Sequence, residues 1–230
     1  MKFSLARPAL ALAVAAMLAS CGGGGKATYP ISVTVRNLNE PGLILSTNGM
    51  DVPVTPNNPV SDVNVTFPNQ IEYGQTYDVI PKGYAAASDG TGAHGAQPEH
   101  QTCLPSSAYP YNFLPSGTAG QLAQIKIYYD CAANLYQLHG TVTGLTAGGL
   151  TLTNGSNGPV AVVANATTFD MPQIAYNQPY GVSVLTQPTG LICTVTGGNS
   201  ALNNGSGIMD EAATKAGGVN SLIVNCVPQT

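Results

Sequence analysis

Few residues of this 230-residue chain have chemistry to offer: five cysteines, three histidines, eleven acids and seven bases. His94 and His100 lie close to Cys103, with Asp89 and Glu99 nearby. Imidazole and carboxylate donors suit zinc or copper, so His94 and His100 are the candidate metal ligands. Their spacing lacks the i,i+2 or i,i+4 rhythm of a preformed chelate, and Cys103 is a candidate for a disulfide. His139 alternates with apolar residues and reads as a solvent-facing or satisfied histidine. Asp210-Glu211 is the one adjacent acidic pair. No G-x-S-x-G, H-E-x-x-H or P-loop occurs, and no G-x-G-x-x-G stands between a strand and a helix. The expectation is no enzyme and no cofactor.

The elements that must position these residues come in two copies. Phe67-Pro-Asn-Gln-Ile-Glu-Tyr-Gly-Gln-Thr-Tyr77 reads against Phe169-Asp-Met-Pro-Gln-Ile-Ala-Tyr-Asn-Gln-Pro-Tyr180. Gly42 to Gly49 matches Gly149 to Gly155, Gln101-Thr-Cys103 matches Leu191-Ile-Cys193, and Ile125 to Cys131 matches Ser221 to Cys226. Each copy therefore owns two cysteines. The repeat selects Cys103 with Cys131 and Cys193 with Cys226 among the three possible pairings. Bonds closing loops of this length are worth roughly 3.6 kcal/mol each by chain-entropy arithmetic.

Ile31-Ser-Val-Thr-Val35, Val63-Asn-Val-Thr-Phe67 and Tyr180-Gly-Val-Ser-Val184 alternate with period two and are rich in β-branched residues. Asn48-Gly49 and Asn154-Gly155 between apolar runs are hairpin signals. One short turn of helix is expected at 209–216. Seven or so strands in about 100 residues, with a disulfide near the end, predict an all-β chain. Its architecture is two tandem immunoglobulin-like antiparallel β-sandwich modules, 29–133 and 134–230. Only 8% of residues are charged, against roughly 25% in ordinary domains. With seven bases, a nucleic-acid-binding surface is excluded.

Ahead of the modules, Lys2 and Arg7 precede an apolar run of about a dozen residues, too short for the roughly 20 that cross a bilayer. A basic start, a short apolar middle and small residues at its end make a secretory signal over 1–20. The box Leu18-Ala19-Ser20-Cys21 that closes it resembles the lipobox of bacterial lipoproteins. The resemblance implies a diacylglycerol thioether on Cys21, with a further palmitate-type chain on its new amino group. Two or more chains hold a protein on a membrane. Gly22 stands where the familiar inner-membrane retention signal would place an Asp, which implies the outer membrane. Residues 21–28 then form a Gly-rich tether. Without Lys2 and Arg7, five bases remain against eleven acids.

The second copy carries Gly140-Thr-Val-Thr-Gly-Leu-Thr, then Tyr180-Gly-Val-Ser-Val, Cys193-Thr-Val-Thr-Gly and a closing Val224-Asn-Cys226. This resembles the short β-repeats of proteobacterial envelope lipoproteins. The resemblance implies fold and carries no catalytic residue. The copies differ in loops at 81–101, 106–120 and 198–218, where function tends to sit. Tyr109, Tyr111 and Phe113 between prolines suit protein or glycan contacts, or else cap the end of a sandwich. The expectation is a membrane-anchored, non-enzymatic envelope lipoprotein with a structural or binding role. The alternative is a periplasmic metal- or small-ligand-binding lipoprotein using His94 and His100.

Overall fold

The computed structural model describes residues 26–85, 95–107, 114–155, 157–211 and 221–230. Every regular element among them is a strand. The first copy runs β1 (Thr28–Tyr29), β2 (Ile31–Arg36), β3 (Ile44–Thr47), β4 (Met50–Pro53), β5 (Val63–Thr66), β6 (Ile71–Glu72), β7 (Thr76–Asp78), β8 (Ile80–Pro81), β9 (Gln101–Pro105), β10 (Ser116–Thr118) and β11 (Ile125–Ala133). The second runs β12 (Leu135–Thr143), β13 (Leu150–Asn154), β14 (Asn157–Val162), β15 (Thr168–Ala175), β16 (Pro179–Thr186), β17 (Leu191–Gly197), β18 (Ser206–Ile208) and β19 (Leu222–Pro228). The chain is all-β and built of immunoglobulin-like sandwiches. The helical turn expected over 209–216 falls mostly outside the described residues.

In the second copy the sheets are β15-β12-β19-β17 and β14-β13-β16-β18. Alternate residues point inward, so Leu138 and Val142 of one sheet meet Leu152 and Val182 of the other in one buried cluster. The first copy repeats the plan with β5-β2-β11-β9 facing β4-β3-β8. Its own cluster runs from Ile31 to Cys131. Neither sandwich is wholly antiparallel. The first long strand of each copy lies parallel to its last, β2 with β11 and β12 with β19. A parallel pair needs a long crossover, and here the whole module supplies it.

One strand of the second sheet breaks in the first copy. β16 is continuous, pairing with β13 and β18. Its counterpart is split at Val79 into β7, which pairs with β10, and β8, which pairs with β3. The Val79 amide donates to the Pro115 carbonyl at 2.8 Å, and its carbonyl accepts from the Tyr129 hydroxyl at 2.7 Å. Tyr129 is fully buried, and its hydroxyl needs an acceptor there. Burial, followed by the charge of Asp78, pushes that hydroxyl well above the ordinary tyrosine range.

The regions 106–120 and 198–218, expected as differing loops, each contribute an equivalent strand. Gly117 of β10 lies opposite Tyr77, and Gly207 of β18 lies opposite Tyr180. A Cβ at either glycine would stand 2.7 Å or 2.6 Å from the tyrosine oxygen. Only glycine lets the ring lie across the partner strand.

The cysteines pair as Cys103–Cys131 and Cys193–Cys226. Both bonds join neighbouring strands of one sheet, with the cysteines directly opposite each other. The bond that crosses between sheets in antibody domains is replaced by one within a sheet. Each staple ties the last strand of a module to the edge strand beside it.

Candidate functional site

Residues from both copies converge where the chain passes between them. Only Asn134 separates β11 from β12, and its polar groups are divided between the copies. Its amide donates to the His100 carbonyl at 2.8 Å, and its side-chain oxygen accepts from the Thr102 hydroxyl at 2.7 Å. The Asn134 carbonyl accepts the Tyr176 amide at 2.9 Å. Such a link has no free backbone with which to bend as a tether would.

This placement brings His100, from the turn before β9, onto Tyr176, which follows β15. Their rings stack with centroids 3.6 Å apart and planes 16° apart. Tyr136 of β12 meets His100 edge-on, its hydroxyl 3.3 Å from Nδ1. The Glu211 carboxylate lies 3.6 Å from the same nitrogen. Beside the stack is a cavity of about 130 Å³ lined by Asn39, Glu40, Gln101, Ala133 and Asn177 with the two rings. Desolvation, followed by the charges of Glu40, Glu99, Glu211 and Asp210, pushes the Tyr176 hydroxyl up. Desolvation also raises the Tyr136 hydroxyl.

Gln101 forms the floor of this region and is buried. Its oxygen accepts the amides of Asn39 and Glu40 at 2.8 Å and 3.1 Å, while its nitrogen donates to the Asn37 carbonyl at 3.0 Å. The loop after β2 is thereby held against the junction. The arrangement offers aromatic faces, amides and carboxylates, which suit binding. The His100–Tyr136–Glu211 set contains no aliphatic hydroxyl or thiol that a neighbouring base would activate.

A second concavity, of about 120 Å³, opens on the side of the first sandwich. Val79, Pro81 and Tyr84 face Cys103, Leu104 and Pro105 across it, with Tyr129 among the lining. It is apolar and follows from the broken strand: the β7–β8 switch turns Val79 toward Tyr129.

The sequence candidates are distributed as follows. His100 sits in the junction. His139 of β12 pairs through Nδ1 with Asp170, its register partner on β15. Cys21, His94, Tyr109, Tyr111 and Phe113 lie outside the described residues. Among the described residues no group of three or more histidine, cysteine or acidic side chains is placed to hold a metal. Sequence reasoning marked 132–134 as a link too short to act as a free linker, but did not single out Tyr136 or Tyr176. The available signal was a single residue between two nine-residue strands, which forces the ends of the two modules together.

No family profile matches the chain, and no curated protein matches it. Among solved structures it is similar to the Bacillus anthracis TIE protein at 12% identity and a TM-score of 0.39, over 88% of this chain and 34% of that one. It thus spans about a third of that protein's length. It is also similar to the major pilin protein T-13 of Streptococcus pyogenes, at 12% identity and a TM-score of 0.25, over 89% of this chain and 98% of that one.

Proposed function

We propose that this protein is a lipid-anchored, non-enzymatic lipoprotein of the bacterial envelope. Its two sandwiches stand off the outer membrane on the 21–28 tether and serve a structural or binding role. The observation that carries this reading is that each sandwich has its own disulfide. Such bonds persist in oxidising, extracytoplasmic compartments and are rare in the cytosol. The signal over 1–20 and the Leu18-Ala19-Ser20-Cys21 box agree with that compartment and add the means of attachment.

The contact surface is assigned to the junction, where His100, Tyr136 and Tyr176 stand among carboxylates and amides. Aromatic rings flanked by hydrogen-bonding side chains suit a protein or glycan partner.

Metabolic labelling with a fatty acid tests the anchor. The full chain is expected to take up label and partition with membranes, and Cys21→Ala or globomycin treatment is expected to abolish both. Unchanged membrane partitioning of Cys21→Ala would overturn the proposal.

A further inference from the structure

β9 and β17 are edge strands of their sheets. An edge strand presents unpaired amides and carbonyls, a ready template for another chain. At each edge the disulfide-bonded cysteine faces its partner directly, and its own amide and carbonyl point away from the sheet. In both modules those two groups are taken by one glutamine. Gln97 accepts from the Cys103 amide at 2.9 Å and donates to the Cys103 carbonyl at 2.9 Å. Gln187 accepts from the Cys193 amide at 2.7 Å and donates to the Cys193 carbonyl at 3.0 Å.

A primary amide carries a carbonyl acceptor and N–H donors in one plane. Docked on one residue's N–H and C=O, it reproduces the pairing that a neighbouring strand would make. The local chain that delivers it is also repeated. Each glutamine is followed by a proline whose carbonyl accepts the amide of Gln101 or of Leu191, at 3.4 Å and 3.3 Å. In both copies the glutamine stands six residues before the cysteine, in Gln97-Pro98 and Gln187-Pro188. The surrounding residues differ, but this contact does not.

A third amide does the same on the other sheet. Asn199 donates to the Ile208 carbonyl at 2.8 Å and accepts from the Ile208 amide at 2.7 Å, on edge strand β18. Several remaining edges carry proline, which has no amide to offer: Pro53 in β4, Pro81 in β8, Pro159 in β14 and Pro172 in β15.

We propose that Gln97 and Gln187 are edge latches, each occupying the strand-pairing groups of a disulfide-bonded cysteine so that a second copy of this chain cannot add a strand to β9 or β17. The proposal rests on the fold and is independent of the anchor at Cys21.

The test uses the full chain carrying Cys21→Ala, so that no lipid drives association. In sedimentation velocity this chain is expected to be monomeric. Gln97→Ser with Gln187→Ser, too short to reach the cysteine backbone, is expected to self-associate with a dissociation constant at least tenfold lower. A folded double variant that stays monomeric at every concentration reached by the parent would overturn the proposal. Hydrogen exchange on the parent alone tests it without any variant. The Cys103 and Cys193 amides are expected to be protected although, among the described residues, no strand lies beyond them. Exchange there at the rate of open peptide would also overturn it.

Discussion

Tyr73 and Tyr176 occupy equivalent places in the two modules, one residue beyond the isoleucine-containing pair that each repeat shares. Tyr73 lies over Gly120 and is 61% exposed, whereas Tyr176 stacks on His100 of the preceding module. The opposite ends differ in the same way. His100 and Gly190 each accept, through their carbonyls, the amide of the residue after or near the end of the last strand, Asn134 or Gln229. Only His100 has a ring to present. A common backbone frame thus becomes a junction at one place because two side chains were added there. The lesson is that docking of repeats is decided at the tips, while the sandwiches themselves are interchangeable in plan.

The largest expected difference between the modules is exposed by their staples. Replacing Cys103 and Cys131 together, or Cys193 and Cys226 together, by alanine is expected to cost about 3–4 kcal/mol. Chemical denaturation of each double variant should show the loss confined to one of two transitions. A loss shared equally by both transitions would mean that the modules unfold as one unit and that the comparison has no thermodynamic basis.

A smaller effect sharpens the contrast between Tyr129 and Val224, which hold equivalent places on β11 and β19. Tyr129→Phe leaves the Val79 carbonyl without its partner and is expected to cost about 1–3 kcal/mol, in the first module alone. Because the folded hydroxyl titrates above its unfolded value, its stabilisation is full below pH 10 and is lost as pH rises beyond it. The phenylalanine variant should therefore lose less stability than the parent between pH 10 and 12. Denaturant midpoints across that range measure it.

The smallest effect is acidic. Hydrogen bonds from Arg36 hold the Asp130 carboxyl below the usual aspartate range. The pair is bidentate, with Arg36 nitrogens 2.6 Å and 2.7 Å from the two carboxylate oxygens. A carboxyl lowered in the folded state stabilises above its unfolded value and loses that contribution as pH falls through the folded one. Stability of the first module should thus decline below about pH 4, the ordinary aspartate value. The side chains are part-exposed, so about 0.2–1 kcal/mol is at stake. Arg36→Gln should remove this acid dependence without altering the second transition.

Much of this was legible in residue order. Alternation in Ile31 to Val35 marks which side chains face inward, because strand geometry puts successive residues on opposite faces. The constant offset of 90 residues from Gln97 to Gln187, Cys103 to Cys193 and Gly117 to Gly207 carries more than the loop assignments drew from it. Past the cysteines the same offset relates Ser116-Gly117 to Ser206-Gly207 and so marks β10 and β18 as equivalent. Of the candidate site, His100 was visible as chemistry but not as a junction residue. Its partners Tyr136 and Tyr176 lie 36 and 76 positions away, and no local spacing links them.

What the residues settled by themselves was local and additive: strand periodicity, turns at Asn48-Gly49 and Asn154-Gly155, two copies, and two cysteines in each. Only the tertiary structure decided which strands are neighbours. The parallel pairing of β2 with β11, the break at Val79 and the stacking of His100 on Tyr176 all depend on closure of the chain over long distances. The same holds for the glutamine contacts at β9 and β17. Whether a backbone amide lacks a partner is set by sheet order, and sheet order is a property of the whole module rather than of any segment within it.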